Sequence, residues 1–234
     1  MNLLFLILLC YPIVCSGHSF LLSIQGSDGV RSTAFGARLL TRGTLVQNTG
    51  IFDKDLPDED NDTQSNKSRP GPCGRIFGGD SLPGFDIDVA KEMQIAEASG
   101  IPTASSNGTI QMGVYVANPD GAGPFKCVYS SDSSLKEFQP MKILHQVEGF
   151  KSVNKFANNF VYPLTATFNK RDTTCSGGND KNVCIIKCTN PNGFGSCAAV
   201  KLSSGFGHSN STKESQLDSN PPLTSGASRG IRFG

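Results

Sequence analysis

Apolar and polar residues alternate with a period of two in several short runs along the chain. In TIQMGVYVA (109–117), Ile110, Met112, Val114 and Val116 share one face, and in FVYPLTATF (160–168), Tyr162, Leu164, Ala166 and Phe168 do. Period-two alternation is the mark of a half-buried strand. Pro163 cannot donate to a ladder, which predicts an edge position for the second run. FLLSI (20–24), FKCVYS (125–130), VCIIKC (183–188) and CAAVKL (197–202) also read as strands. One segment, DVAKEMQIAEASG (88–100), fits a helix with Asp88 as cap and Gly100 as stop, but Met93 and Ile95 alternate equally well, leaving helix and strand both open.

The 26 glycines and 13 prolines punctuate the chain every few residues, which argues against long helices. Many short strands joined by turns predict an all-β fold, an antiparallel β-sandwich with long loops. Residues 53–70 (DKDLPDEDNDTQSNKSRP) read as a solvated loop, acidic at first and then polar, with no EF-hand spacing. Residues 203–234 are rich in Ser, Gly, Asn and Pro and read as a disordered tail.

The beginning of the chain reads differently. LLFLILL (3–9) is too short to span a bilayer, and Cys15-Ser16-Gly17 supplies the small residues that a signal peptidase accepts. Residues 1–17 are therefore expected to be a cleaved secretory signal, leaving a domain over 18–202. No later run reaches 18 apolar residues, so the mature protein is expected to be secreted, with no membrane attachment. A net charge of +1 gives no global field toward nucleic acid, and a monomer is expected. Cys10 and Cys15 leave with the signal. The remaining six, Cys73, Cys127, Cys175, Cys184, Cys188 and Cys197, are expected to form disulfides. The C-x8-C-x3-C-x8-C spacing of the last four suggests Cys175–Cys184 and Cys188–Cys197, leaving Cys73–Cys127. Sequons at Asn61, Asn66, Asn107 and Asn210 mark expected glycosylation sites.

Candidate chemistry is sparse. There is no G-x-S-x-G elbow, P-loop or G-x-G-x-x-G. Asp86 and Asp88 read as one solvated face, not an acid/base pair, and NPDGAGP (118–124) reads as a structural turn. Of three histidines, His208 falls in the tail and His145, in MKILHQV, reads as a partly buried structural residue. His18 is different: after cleavage its free amine and its ring could together chelate one copper ion. His145 is the only candidate for a second imidazole.

Four blocks carry a resemblance: HSFLLSIQG at the mature start, CGR (73–75), NPDGAGPFKC (118–127) and NVCIIKCTNPNGFGSCAAVK (182–201). Together they resemble the Egh16-like family of fungal secreted proteins, which includes Gas1-type appressorium-specific virulence factors. The resemblance covers about residues 18–30 and 72–202. It implies secretion by a host-associated fungus and expression during penetration. The N-terminal His and β-rich build are also similar to lytic polysaccharide monooxygenases. That analogy implies a histidine brace, but this chain carries Tyr115 where many family members place a second His and Lys201 where Gln is usual; a cation beside copper would oppose binding. The expected function is thus a non-catalytic, virulence-associated protein of infection structures that contacts cell-wall glycan or a host component. The alternatives are a copper-dependent oxidative enzyme on polysaccharide and an inhibitor of host hydrolases.

Overall fold

A computed structural model describes residues 18–40, 49–52, 70–78, 84–169, 173–204 and 206. The expected signal, most of the 53–70 loop, Asn61, Asn66, Asn210, His208 and nearly all of the tail lie outside the described residues.

Among the described residues, eleven strands and two α-helices follow one another: β1 Ser19–Gln25, β2 Arg31–Thr33, α1 Ala37–Leu40, β3 Thr49–Phe52, β4 Arg75–Gly78, β5 Phe85–Asp86, α2 Val89–Ser99, β6 Thr109–Val116, β7 Lys126–Ser130, β8 Gln139–His145, β9 Phe160–Phe168, β10 Val183–Thr189 and β11 Gly195–Lys201. Eight of the strands form one antiparallel sheet in the order β11-β10-β7-β8-β9-β6-β1-β2, and β3-β4-β5 form a second. The all-β, antiparallel reading holds, but the main sheet curls on itself more like a barrel than a sandwich of two separate layers. Its two ends meet: the Leu21 N–H donates to Ser196 Oγ at 3.2 Å and the Phe35 N–H to the Cys197 carbonyl at 2.9 Å. Curling removes the open edges that a flat sheet would expose.

The alternating runs become strands because their apolar positions find one core. Ile110, Met112, Val114 and Val116 of β6 are all buried, as are Leu164, Ala166 and Phe168 of β9. In β1 the register skips Leu22, so that Leu21 lies opposite Val114 and Ile24 opposite Met112. This bulge turns two residues of odd spacing onto one face. Phe20 lies opposite Tyr115, and their rings pack at 5.2 Å.

Pro163 is a correction. β9 is an interior strand, and Pro163 lies opposite Gly113 of β6. β8, on the other side, reaches only as far as Thr165, so Pro163 sits where one flank of β9 is open and its missing N–H costs no ladder bond. The open choice at 88–100 resolves to helix. The Asp88 side chain accepts from the Lys91 N–H at 3.1 Å, and Gly100 ends the helix with φ +97°. The buried Glu92 accepts from the Gly36 N–H at 3.0 Å and pairs with Arg38 at 2.6 Å, tying α2 to the turn before α1. Asp86 pairs with Arg75 at 2.8 Å while Asp88 caps α2, so the two carboxylates do separate structural jobs. From the expected tail, Phe206 returns to pack against Phe168 at 6.0 Å.

The six cysteines from Cys73 to Cys197 are bridged, as Cys73–Cys197, Cys127–Cys188 and Cys175–Cys184. Only the last matches the pairing expected from spacing. β10 and β11 form a hairpin whose register sets Lys187, not Cys188, opposite Cys197. Cys188 and Cys197 therefore project to opposite faces and cannot meet. Cys188 lies directly opposite Cys127 on β7. Cys197, on the other face, meets Cys73 near the second sheet.

Among the described residues no helix is long and apolar enough to cross a membrane. Asn107 is exposed in the turn before β6, where its side-chain oxygen accepts from the Thr109 N–H at 3.3 Å, an accessible position for a glycan.

Candidate functional site at the His18 end of the sheet

The blocks that stand out in the sequence converge at one end of the curled sheet. β1 delivers His18 there, only 2 % exposed, with Ser19 opposite Val116 and its carbonyl accepting from the Ala117 N–H at 2.9 Å. The turn after β6 wraps over it. Gly121 lies so close that an added Cβ would stand 2.2 Å from the His18 carbonyl oxygen. From the β10–β11 turn, the Phe194 ring packs against the His18 ring at 5.1 Å.

One side chain engages both potential chelating atoms of His18. The His18 N–H donates to Asn118 Oδ1 at 2.9 Å, and Asn118 Nδ2 lies 3.1 Å from His18 Nδ1. A backbone nitrogen here can only donate, which fixes Oδ1 on that side and leaves Nδ2 to donate to the ring. Nδ1 is therefore the unprotonated nitrogen, and the imidazole carries its proton on Nε2. The main-chain nitrogen and Nδ1 converge on one point, which the Asn118 carboxamide fills.

The turns around this point brace one another. Asn190 accepts from the Phe194 N–H at 2.9 Å and donates to the Ala122 carbonyl at 3.1 Å. Asn192 donates to the Asp120 carbonyl at 3.1 Å, and its own N–H reaches the Ser152 hydroxyl at 3.0 Å. Ser152 exchanges backbone bonds with Ala122 and Gly123 at 2.9 and 3.0 Å. NPDGAGP is a turn, as its composition predicts, but one that seats the N-terminal strand and joins two further loops.

The other expected metal residues lie elsewhere. His145 is exposed at the end of β8, opposite Thr165, which aligns with Gln111 and then Gln25. It is thus at the opposite end of β1 from His18, about 17 Å along the strands and roughly 14 Å across them. The reading of His145 as partly buried is corrected: at the last position of β8 its side chain is exposed. Lys201 pairs with Asp180 at 3.7 Å at the far end of β11, about 20 Å of strand from Gly195, and does not stand beside His18. Tyr115 comes near, but its phenol bonds to Asn159, and burial pushes its pKa up, keeping it a neutral donor. Among the described residues no three His, Cys, Asp or Glu side chains group to hold a metal. A chelate by His18 alone needs Asn118 to turn away, and among the described residues no second imidazole stands nearby, so the described donor set does not fit a histidine brace.

A second feature adjoins this end. The segment from Val147 to Asn159 is pinned by paired backbone bonds between Phe150 and Val153, both 2.9 Å, and by the Asn154 N–H donating to the Pro119 carbonyl at 2.9 Å. It nevertheless holds Phe150 76 % and Phe156 81 % exposed, with Phe160 59 % exposed at the start of β9. Among the described residues, every exposed large apolar side chain except Phe85 falls between Leu144 and Val161. Lys151 Nζ lies 5.5 Å over the Phe150 ring and Lys155 Nζ 5.2 Å over that of Phe156. The sequence EGFKSVNKFANNF carries neither a period of two nor one of 3.6, so strand and helix patterning passes over it. Its signal is the adjacency of Phe and Lys, repeated in mirror order.

A cleft of about 730 Å³ lies away from both features, between α2 and the turns at 132–135 and 176–181. On its wall Glu97 accepts from the Asn179 backbone and side chain at 2.7 and 2.5 Å. The Asp132 carboxyl is held below its ordinary range by the Ser134 hydroxyl.

The fold and the converging turns define a β-rich, disulfide-bridged domain, and the Egh16-like virulence factor model matches residues 16–196, so the chain belongs to that family. It is 30% identical over 132 residues to the appressoria-specific virulence factor GAS1 of Pyricularia oryzae, covering 53% of this chain and 52% of the relative. It is 32% identical over 124 residues to GAS2 of the same fungus, covering 50% and 42%. The chain thus spans about half the length of the curated relatives it matches. No solved structure matches.

Proposed function

We propose that the mature chain is a secreted, non-catalytic contact protein of fungal infection structures that touches cell-wall polysaccharide through the aromatic end of its sheet. One observation carries the reading: Phe150 and Phe156 are held in the open on a segment whose backbone is pinned. Exposing such rings costs apolar hydration, and rigid, water-facing apolar patches on globular proteins mark contact surfaces. The relatives' printed role, appressoria-specific virulence factor, agrees with a protein working where fungus meets host. Cosedimentation with chitin, cellulose, β-glucan and pectin gel tests it. The native protein should be retained by at least one polymer, and Phe150→Ala/Phe156→Ala should weaken retention at least about tenfold, equivalent to 1.4 kcal/mol. The melting temperature should not move, because neither ring is buried. No retention on any polymer would overturn the reading.

A second reading is favoured by the convergence of the His18 nitrogens: a copper-binding N-terminus on protein processed before His18. Bound there, copper would supply redox chemistry. EPR and calorimetry on protein whose sequence begins His-Ser-Phe are expected to show a weak type-2 site, abolished in His18→Ala. Asn118→Ala should tighten it, because the carboxamide no longer competes for the two nitrogens. Unchanged affinity in both variants would remove His18 as the ligand.

A further inference from the structure

We propose that the polymer recognised by the Phe150–Phe156 face is an acidic, uronate-rich polysaccharide; this rests on the glycan-contact reading above and names its ligand class. Each exposed ring carries an ammonium over one face, Lys151 at 5.5 Å from the Phe150 centroid and Lys155 at 5.2 Å from that of Phe156, leaving the other face to a ligand. Along the pinned loop, 148–159, the charged side chains are Lys151 and Lys155 against Glu148. The surface therefore presents, twice over, an apolar plate with a cation at one of its faces.

A uronosyl residue has the complementary form. Its pyranose ring offers C–H groups that pack on an aromatic face, and its carboxylate projects from the ring edge within reach of a neighbouring ammonium. A polymer repeats both features, so the mirror pair Phe150-Lys151 and Lys155-Phe156 can engage more than one unit of the same strand, and each added contact raises avidity. Neutral glucans satisfy the plates and leave the ammonium groups without counter-charges. A lipid surface fits less well. Insertion of a phenyl ring into the acyl region requires its lysine to withdraw toward the headgroups, whereas here each ammonium lies over the ring and would be carried inward with it, at a desolvation cost.

The test uses the full secreted protein and titrates de-esterified polygalacturonate, the same polymer methyl-esterified, soluble β-glucan, polyglutamate and phosphatidylserine vesicles. Polygalacturonate should bind best. Methyl esterification should weaken it at least about tenfold, and raising salt well above physiological strength should weaken it further. Lys151→Gln/Lys155→Gln should lose the polygalacturonate preference while keeping the native melting temperature, and Phe150→Ala/Phe156→Ala should weaken binding to every sugar polymer. Equal binding to esterified polymer and β-glucan overturns the uronate inference and leaves glycan contact standing. Equal binding to polyglutamate shows that charge alone is read and overturns the inference as well. No binding to any polysaccharide, with or without capture by vesicles, overturns both.

Discussion

Removing the Cys73–Cys197 bridge by the double substitution to Ala is expected to lower stability by about 5 kcal/mol, more than any other bridge in the chain. A cross-link restricts the unfolded chain in proportion to the logarithm of the loop it closes. The bridges close loops of 124, 61 and 9 residues. The corresponding costs are about 5, 4 and 3 kcal/mol for Cys73–Cys197, Cys127–Cys188 and Cys175–Cys184. The first bridge also joins the segment before β4 to β11, the strand where the curled sheet meets its other end, so its loss should loosen the whole closure. Denaturant unfolding of the three double-Ala variants gives the ranking, and peptide mapping without reduction gives the pairing. A Cys188–Cys197 peptide in native protein would contradict the β10–β11 register.

Gly121→Ala is expected to be strongly damaging, costing about 3 kcal/mol, at the upper end of overpacking effects. The new Cβ would stand 2.2 Å from the His18 carbonyl oxygen and 2.7 Å from its carbon, both backbone atoms that cannot rotate aside. Relief requires the N-terminal strand to move. That movement breaks the Ala117 N–H bond to the His18 carbonyl and the seat of Asn118 on the His18 nitrogens. Gly71→Ala is the control. Its Cβ would meet Asp86 at 3.6 Å, ordinary contact, and the change should stay within about 0.5 kcal/mol. Thermal melts of the two variants decide the point: equal effects would mean that the turn does not clamp the N-terminal strand.

Local patterning was enough to place most strands. The alternation of β6 and the apolar runs of β7, β10 and β11 each specify a strand whose buried face is set by a period of two, whatever else the chain does. The Asp88 cap and Gly100 stop likewise act within one helix, and composition with cysteine content sufficed for an all-β, disulfide-bridged chain. The short Cys175–Cys184 bridge was also legible, because it joins the two ends of one local excursion.

What depends on register between distant strands was not legible. Spacing along the chain cannot tell which face of β11 Cys197 occupies. Only the alignment of Lys187 with Cys197 and of Cys188 with Cys127 decides the two long bridges. The register of β8, β9, β6 and β1 separates His145 from His18. Asn118 reads as a turn residue until the turn folds back over β1 and aims its carboxamide at two nitrogens a hundred residues earlier. Phe150 and Phe156 fall in no element that patterning predicts, and only the backbone bonds of their loop, closing on themselves and on Pro119, hold both rings toward water. Sequence fixes residue types and local periodicity. The facing of a side chain in a closed sheet is a property of how strands from distant parts of the chain are set against one another, which tertiary packing alone determines.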